Sequence, residues 1–249
     1  TLSRTLFPYT TLFRSIGIFA CYCEKFLTKI IPGILRTVLV GAGTMILTYI
    51  AGVVVLGPLG DLVGGIVVKF FLWASATFGP VAIALLASAM PWLVMTGMHH
   101  AVTPFMVQAF ADPGYDVFFR PSYILHNMAE GGACLGVALR TKNPEFRAEC
   151  LSLAFGCIVA GVTEPALYGV NLPLKRPMLG IMAGTAVGGI IAGVLGATAY
   201  VYGYSTILAL PIFQQTMWAM AIAIVAAIVV SALVTAALGF EDRPVKAQK

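Results

Sequence analysis

In the stretch GVTEPALYGV, Gly161–Val170, one glutamate stands among apolar residues and directly precedes a proline. Pro165 suits the first position of a helix, where its missing N–H costs nothing, and this puts Thr163 or Glu164 at the N-cap. A helix start presents free N–H groups and a partial positive charge. Two readings of Glu164 follow. It could simply cap the helix, or the turn could form a polar pocket for a ligand at membrane depth. A carboxylate inside a membrane segment is costly and marks function by default, whereas Ser or Asp would serve equally well as a cap.

A second cluster is TGMHHAVTPF, Thr96–Phe105, with His99 and His100 adjacent. Neighbours on a helix point about 100° apart, so at most one of the two is expected to face a given site. Neutral imidazole donates and accepts at once, which suits a sugar hydroxyl or a proton relay; the competing reading is a structural hydrogen bond. A metal would need a third ligand, with Glu164 or His126 as candidates. The chain has no pair of histidines four residues apart, so no metal is expected. The third cluster is HNMAEGGA, His126–Ala133. Its polar residues His126, Asn127 and Glu130 fall on successive turns of a short helix, before a Gly131–Gly132 pair read as flexible. This is either the end of an interfacial helix or the tip of a re-entrant hairpin offering Asn127 to a ligand. There is no phosphate-binding glycine loop and no Ser-His-Asp pattern. Any phosphoryl group must therefore come from elsewhere, and no cofactor is expected.

The elements that must position these residues are helices in lipid. Of 249 residues, 59% are hydrophobic and only 10% charged, and the mean hydropathy is +0.94. Apolar runs recur at the length of roughly 20 residues that a membrane crossing needs. The expected fold is an all-α polytopic membrane protein: transmembrane helices, two re-entrant hairpins and amphipathic interfacial helices. Residues 16–33 alternate apolar and polar at helical spacing and end at Pro32–Gly33. Spans are expected at about 36–57 and 79–97, with the break GPLGD (Gly57–Asp61) and a second amphipathic stretch at about 61–76 between them. The apolar pieces near 121–140 and 148–162 are too short to cross alone. The second would reach about 22 Å at 1.5 Å per residue, against about 30 Å of hydrocarbon, and it stops at Thr163-Glu164-Pro165. Such interrupted helices characterise transport sites. Full spans are expected at about 177–202 and 215–240, the first carrying Gly180, Gly184 and Gly188 in a row that permits close helix contact.

Arg140, Lys142 and Arg147, then Lys175 and Arg176, then Arg243, Lys246 and Lys249 gather in short loops, the pattern of loops on the cytoplasmic side. The net charge of +5 is scattered, with no basic face interleaved with aromatics, which argues against nucleic acid as a partner. The five cysteines read as small apolar residues, and the C-x-C pair at Cys21 and Cys23 has no second pair to complete a zinc site. Residues Thr5 to Ser15, TLFPYTTLFRS, resemble the in-frame translation of a common sequencing adapter. Residues 1–15 are therefore left out of the fold reading, and the chain is expected to be truncated at its N-terminus.

Three motifs, GVTEPALYGVNLPLKRP (Gly161–Pro177), GMHHAVTP (Gly97–Pro104) and HNMAEGGA, together resemble the membrane IIC component of the bacterial sugar phosphotransferase system, glucose–glucoside superfamily. EKFLTKIIPGILRT (Glu24–Thr37), GPLG (Gly57–Gly60) and LGFED (Leu238–Asp242) resemble its β-glucoside branch. The resemblance covers about residues 16–242. It implies a sugar permease of the inner membrane, with a cytoplasmic C-terminus, that presents a sugar hydroxyl to a phosphocysteine on a IIB domain. The phosphoryl group would reach IIB from HPr through IIA. It further implies an interface domain that makes a homodimer, of which 16–75 would be the last part, a transport domain at 76–242 and a cytoplasmic tail at 243–249. The family's glutamate and histidine correspond to Glu164, which could act as general base on the hydroxyl if buried, and His99, which could hold neighbouring hydroxyls. His100, Asn127, Thr163 and Pro165 complete the expected substrate site, and Lys175 and Arg176 the approach of the phosphate. Many family members carry Gln where this chain has Glu130, which leaves a role for Glu130 open. A proton-coupled secondary transporter using the same polar residues, and an inactive fragment, are the alternative readings.

Overall fold

The computed structural model describes residues 8–56, 58, 66, 69, 70, 73, 74, 77–111 and 113–242. The expected break at Gly57–Asp61, the amphipathic stretch at 61–76 and the tail at 243–249 lie wholly or mostly outside them, as do residues 1–7 of the adapter-like segment. All regular structure among the described residues is helical. The sole departure is one isolated antiparallel bridge, Asp116 to Ala199. The protein is an all-α membrane protein.

The chain forms two compact units, Thr1–Lys69 with Met95–Ala101, and Phe70–Val94 with Val102–Lys249. In the first, α1 (Pro8–Ile30) is followed by α2 (Gly33–Ala51), which continues through a π turn at Gly52–Leu56. The helix expected from residue 16 thus runs back to Pro8. Pro32 at the N-cap of α2 makes the break, as the sequence suggests. The pair packs where α2 is smallest: a Cβ on Gly43 would lie 2.8 Å from Leu27 of α1. Tyr22, Phe26 and Ile30 are exposed, as suits an apolar face turned to lipid.

The second unit contains α3 (Val81–Met95, whose last residue belongs to the first unit), α4 (Thr103–Ala111), α5 (Phe119–Arg140) and α6 (Pro144–Phe155). A π turn at Gly156–Ala160 prolongs α6. Then come the short α7 (Glu164–Ala166), a π turn at Leu167–Asn171 and the short α8 (Leu172–Leu174). The unit closes with α9 (Arg176–Val194), a 3-10 stretch at Ile207–Thr216 and α10 (Met217–Leu238). Arg176–Val194 and Ile207–Leu238 are long and apolar enough to cross a membrane; Leu39–Val55 and Val81–Met95 are shorter apolar helices.

α5 is the hub. It packs on α6, α9 and α10, and nearly all its residues are buried. The Gly131–Gly132 pair, expected to be a flexible end, lies inside this continuous helix. The pair survives there because packing requires it: a Cβ on Gly131 would meet Ile158 at 2.6 Å, and one on Gly132 the Ile228 carbonyl at 2.5 Å. Tertiary contact overrides the low helix propensity of glycine. Cys134, Cys150 and Cys157 are buried in one apolar cluster with Val137, Phe146 and Ala166; all five cysteines are free thiols, Cys21 exposed and the other four buried.

The small-residue row on α9 does what its spacing suggests. A Cβ on Gly184 would lie 2.5 Å from the Ala227 carbonyl and 2.7 Å from Ser231 Cβ, both on α10. Helix α9 ends at Val194, short of the expected 202, because the chain turns at Gly196 (φ +70°) into an extended segment. At the other end, Arg140 Nη1 donates to the Ala236 carbonyl at 2.7 Å and Arg176 Nη1 to the Leu238 carbonyl at 2.6 Å. These two cations satisfy the last carbonyls of α10, which would otherwise lack partners.

Gly184→Ala is expected to push α9 from α10 and cost about 1–3 kcal/mol, read as a lower heat-unfolding midpoint in detergent. Gly156→Ala, where a Cβ meets nothing closer than 3.9 Å, is expected to leave the midpoint unchanged or raise it slightly.

Candidate functional site

The turn that carries Glu164 is built by one glycine. After the π turn, Gly161 takes φ +76° and ψ +18°, a left-handed conformation that reverses the chain. The Val162 amide donates back to the Gly156 carbonyl at 3.2 Å, and the Leu167 amide to Thr163 at 2.8 Å. Thr163 is the N-cap, is buried, and makes no capping bond with its side chain. Glu164 is the first helical residue, with Pro165 after it. Glu164 is therefore not the N-cap residue that the simpler sequence reading offered. Glu164 and Pro165 are both exposed in the chain. This corrects the expected burial: the turn ends at the surface of its unit because α6 stops short and the chain reverses there.

Asn127 holds that turn. Its Nδ2 donates to the Gly161 carbonyl at 3.1 Å and to the Ser205 carbonyl at 2.8 Å. The side chain is nearly buried, in the interior of α5. It is not the tip of a hairpin, since α5 passes straight through this region. The amide bridges the reversal before Glu164 and the extended segment before α10. Gly161 itself fits tightly against that segment, where a Cβ would approach Thr206 Cγ2 to 2.7 Å.

Below the turn, His126 and Glu130 are one helical turn apart on α5, with Nε2 and Oε1 3.5 Å apart, and both are buried. Glu130 interacts electrostatically with Glu164, so two carboxyl groups share one neighbourhood of this unit. Sequence reading left Glu130 open; its i, i+4 spacing from His126 was the available signal.

His99 and His100 belong to the first unit, on a 3-10 turn at Met98–Val102. Their rings lie with centroids 4.0 Å apart and planes tilted by 38°. The rings meet through side-chain rotation, since a 3-10 turn by itself sets adjacent residues about 120° apart. His99 is half-buried and His100 exposed. Among the described residues, no group of three His, Cys, Asp or Glu side chains could hold a metal ion.

Lys175 and Arg176 mark the junction of α8 and α9. Lys175 is exposed and has φ +61° and ψ −53°, a strained conformation for a non-glycine residue. With Leu174, Phe240 and Glu241 the two basic residues line a cleft of about 440 Å³. Arg176 is partly spent on the α10 terminus; among the described residues, Lys175 is the free-standing cation of the pair.

The family profile described as "Phosphotransferase system, EIIC" matches residues 15–186. Among characterised proteins, the chain is 32% identical over 231 residues to the arbutin-, cellobiose-, and salicin-specific EIIBC component of Escherichia coli (strain K12), covering 90% of this chain and 47% of that protein. It is 33% identical to the beta-glucoside-specific EIIBCA component of Bacillus subtilis (strain 168), covering 98% of this chain and 39% of that protein. The trehalose-specific EIIBC component of Escherichia coli (strain K12) is 30% identical, covering 85% and 46%. The chain thus spans less than half the length of these relatives. No solved structure matches it significantly.

Asn127→Asp is expected to loosen the turn more than Asn127→Ala, because a carboxylate would face two carbonyl oxygens. Losing both bonds costs about 2 kcal/mol, read as roughly tenfold or greater acceleration of amide exchange at Val162 to Glu164.

Proposed function

The chain belongs to the EIIC family of the phosphotransferase system, and on that footing we propose that it is the sugar-translocating part of a β-glucoside permease. The observation that carries this reading is Glu164. It is an exposed carboxylate at the first residue of a helix, held by a braced turn and not placed at the cap. A residue kept in this way is available to a ligand.

In this reading a sugar hydroxyl approaches Glu164, which accepts its proton as the oxygen attacks phosphorus. Thr163 and Pro165 shape the wall beside it, while His99 and His100, on the first unit, are hydroxyl-binding imidazoles by family resemblance alone. Asn127 acts chiefly by fixing the turn, since both amide hydrogens are engaged. The phosphoryl group comes from a phosphocysteine on IIB, supplied in turn by IIA and HPr. The fused EIIBC and EIIBCA names of the relatives support IIB and IIA as partners. Lys175 and Arg176 draw the phosphate toward the membrane surface. Strain kept at Lys175, where glycine would sit at ease, is consistent with a cation needed at that spot.

Topology follows from charge. The end of the second unit where α5 finishes, α9 begins and α10 finishes carries Arg140, Lys142, Arg147, Lys175 and Arg176. We assign that end, and with it the C-terminus, to the cytoplasmic side of a multi-pass inner-membrane protein. Residues 16–75 serve as the dimerising interface domain and 76–242 as the transport domain, with lipid around both.

Glu164→Gln keeps the shape and removes the base. In the complete system with its IIB and IIA domains, this variant is expected to bind salicin but form sugar phosphate at least about 100-fold more slowly. Wild-type rates of phosphorylation would overturn the reading, and unmodified sugar accumulating inside wild-type vesicles would favour a secondary transporter.

A further inference from the structure

At the far end of α5 from the basic residues lies a second group of polar and aromatic side chains, which the proposed chemistry at Glu164 does not use. Arg120 opens α5 and is 3% exposed. Its guanidinium carbon lies 5.0 Å from the centre of the Tyr202 ring and 5.6 Å from that of Tyr123, within cation–π range. Its Nε has no acceptor among the described residues. The nearby acid, Asp116, is already committed: Oδ1 accepts from the Phe118 and Phe119 amides and Oδ2 from the Arg120 amide, which starts the helix. A buried guanidinium with an idle donor, between ring faces, is a site awaiting oxygen acceptors.

The aromatic side of this group is held firmly. Asp116 and Ala199 exchange backbone bonds of 2.8 Å each, and the Tyr200 amide donates to the Ile212 carbonyl at 3.0 Å. These bonds pin the extended segment that bears Tyr200, Tyr202 and Tyr204. Phe110 of α4 braces Tyr202 edge to face, with centroids 6.2 Å apart. Tyrosines at a membrane boundary often anchor in the headgroup layer, and Tyr204, 88% exposed, fits that role. Tyr202 does not: it packs inward on Arg120 and Phe110 while remaining half exposed.

Position and charge choose the ligand. Phe119 and Arg140 are 21 residues apart on one helix, or about 30 Å, so this group lies a membrane thickness from the basic end. With the basic end cytoplasmic, Arg120 and Tyr202 face the side from which sugar arrives. Asp116 offsets the arginine charge, which disfavours an anion and suits a neutral, hydroxyl-rich molecule with an apolar ring face. Asn127 is two turns further along α5, about 10 Å inward. We propose that Arg120 and Tyr202 form an outer sugar-binding subsite, where Tyr202 stacks on the incoming glucoside and Arg120 donates to its hydroxyl oxygens before the sugar moves on toward the Glu164 turn. The inference rests on the sugar-permease reading above.

The test uses the complete phosphotransferase system in membrane vesicles, with radiolabelled salicin as probe and KM and maximal rate measured separately. Tyr202→Ala and Arg120→Lys are each expected to raise KM about tenfold, the effect of one lost charge-assisted or stacking contact, with the maximal rate of phosphorylation unchanged. Tyr204→Ala is expected to leave both constants unchanged. Tyr202 is half exposed, so its variant answers the question even where an Arg120 variant fails to fold. Unchanged KM in Tyr202→Ala, or a fall in maximal rate with KM unchanged, would overturn the subsite while leaving the permease reading intact. A wild-type system that takes up no sugar would overturn both.

Discussion

One carboxamide bears the geometry of the site. Where α6 stops and the chain reverses at Gly161, backbone carbonyls lose their helical partners and must find others. Asn127 supplies two N–H donors from a helix that is itself packed on three sides. The carbonyl of Gly161 and the carbonyl of Ser205 are satisfied together, so the broken helix and the extended segment become parts of one body. Glu164 sits where it does because the turn before it has a partner.

That arrangement requires a rigid frame, and the frame is made from absent side chains. In lipid, apolar burial scarcely drives helix association, so close packing and polar contacts must do so. Gly132 and Gly184 bring α5 and α9 against carbonyls of α10. Ser231 Oγ donates to the Ala129 carbonyl at 2.6 Å, adding a polar tie between α10 and α5. Arginines 140 and 176 close the end of α10. Large apolar side chains such as Val225, Val229 and Leu233 remain outside, facing the solvent that suits them.

Much of this was legible in the residues. Pro32 announced the end of one helix and Pro165 the start of another, the glycine row on α9 announced a tight interface, and the Thr-Glu-Pro string singled out the turn. Other features depended on partners distant in sequence. Gly131–Gly132 looked like a break because glycine is a poor helix former, and only Ile158 and Ile228 explain why the helix continues. Asn127 looked like a ligand-facing amide, but its acceptors are carbonyls on two other segments. Glu164 seemed destined for burial because its neighbours are apolar, yet the reversal brings it to a surface. The pairing of Arg120 with Tyr202 leaves no local pattern beyond an arginine at a helix start and alternating tyrosines.

The tether at Ser205 has a thermodynamic corollary. Ser205 lies three residues beyond Tyr202 on the pinned segment, and Gly161 lies three residues before Glu164. Anything that narrows the fluctuations of the tyrosine segment therefore narrows those of the carboxylate turn, through a single side chain. Linkage makes such a coupling reciprocal: if the turn binds a molecule more tightly when the outer segment is ordered, the outer segment is ordered to the same degree when the turn is occupied. Two places on opposite flanks of Asn127 would then share one free energy, with no large displacement between them.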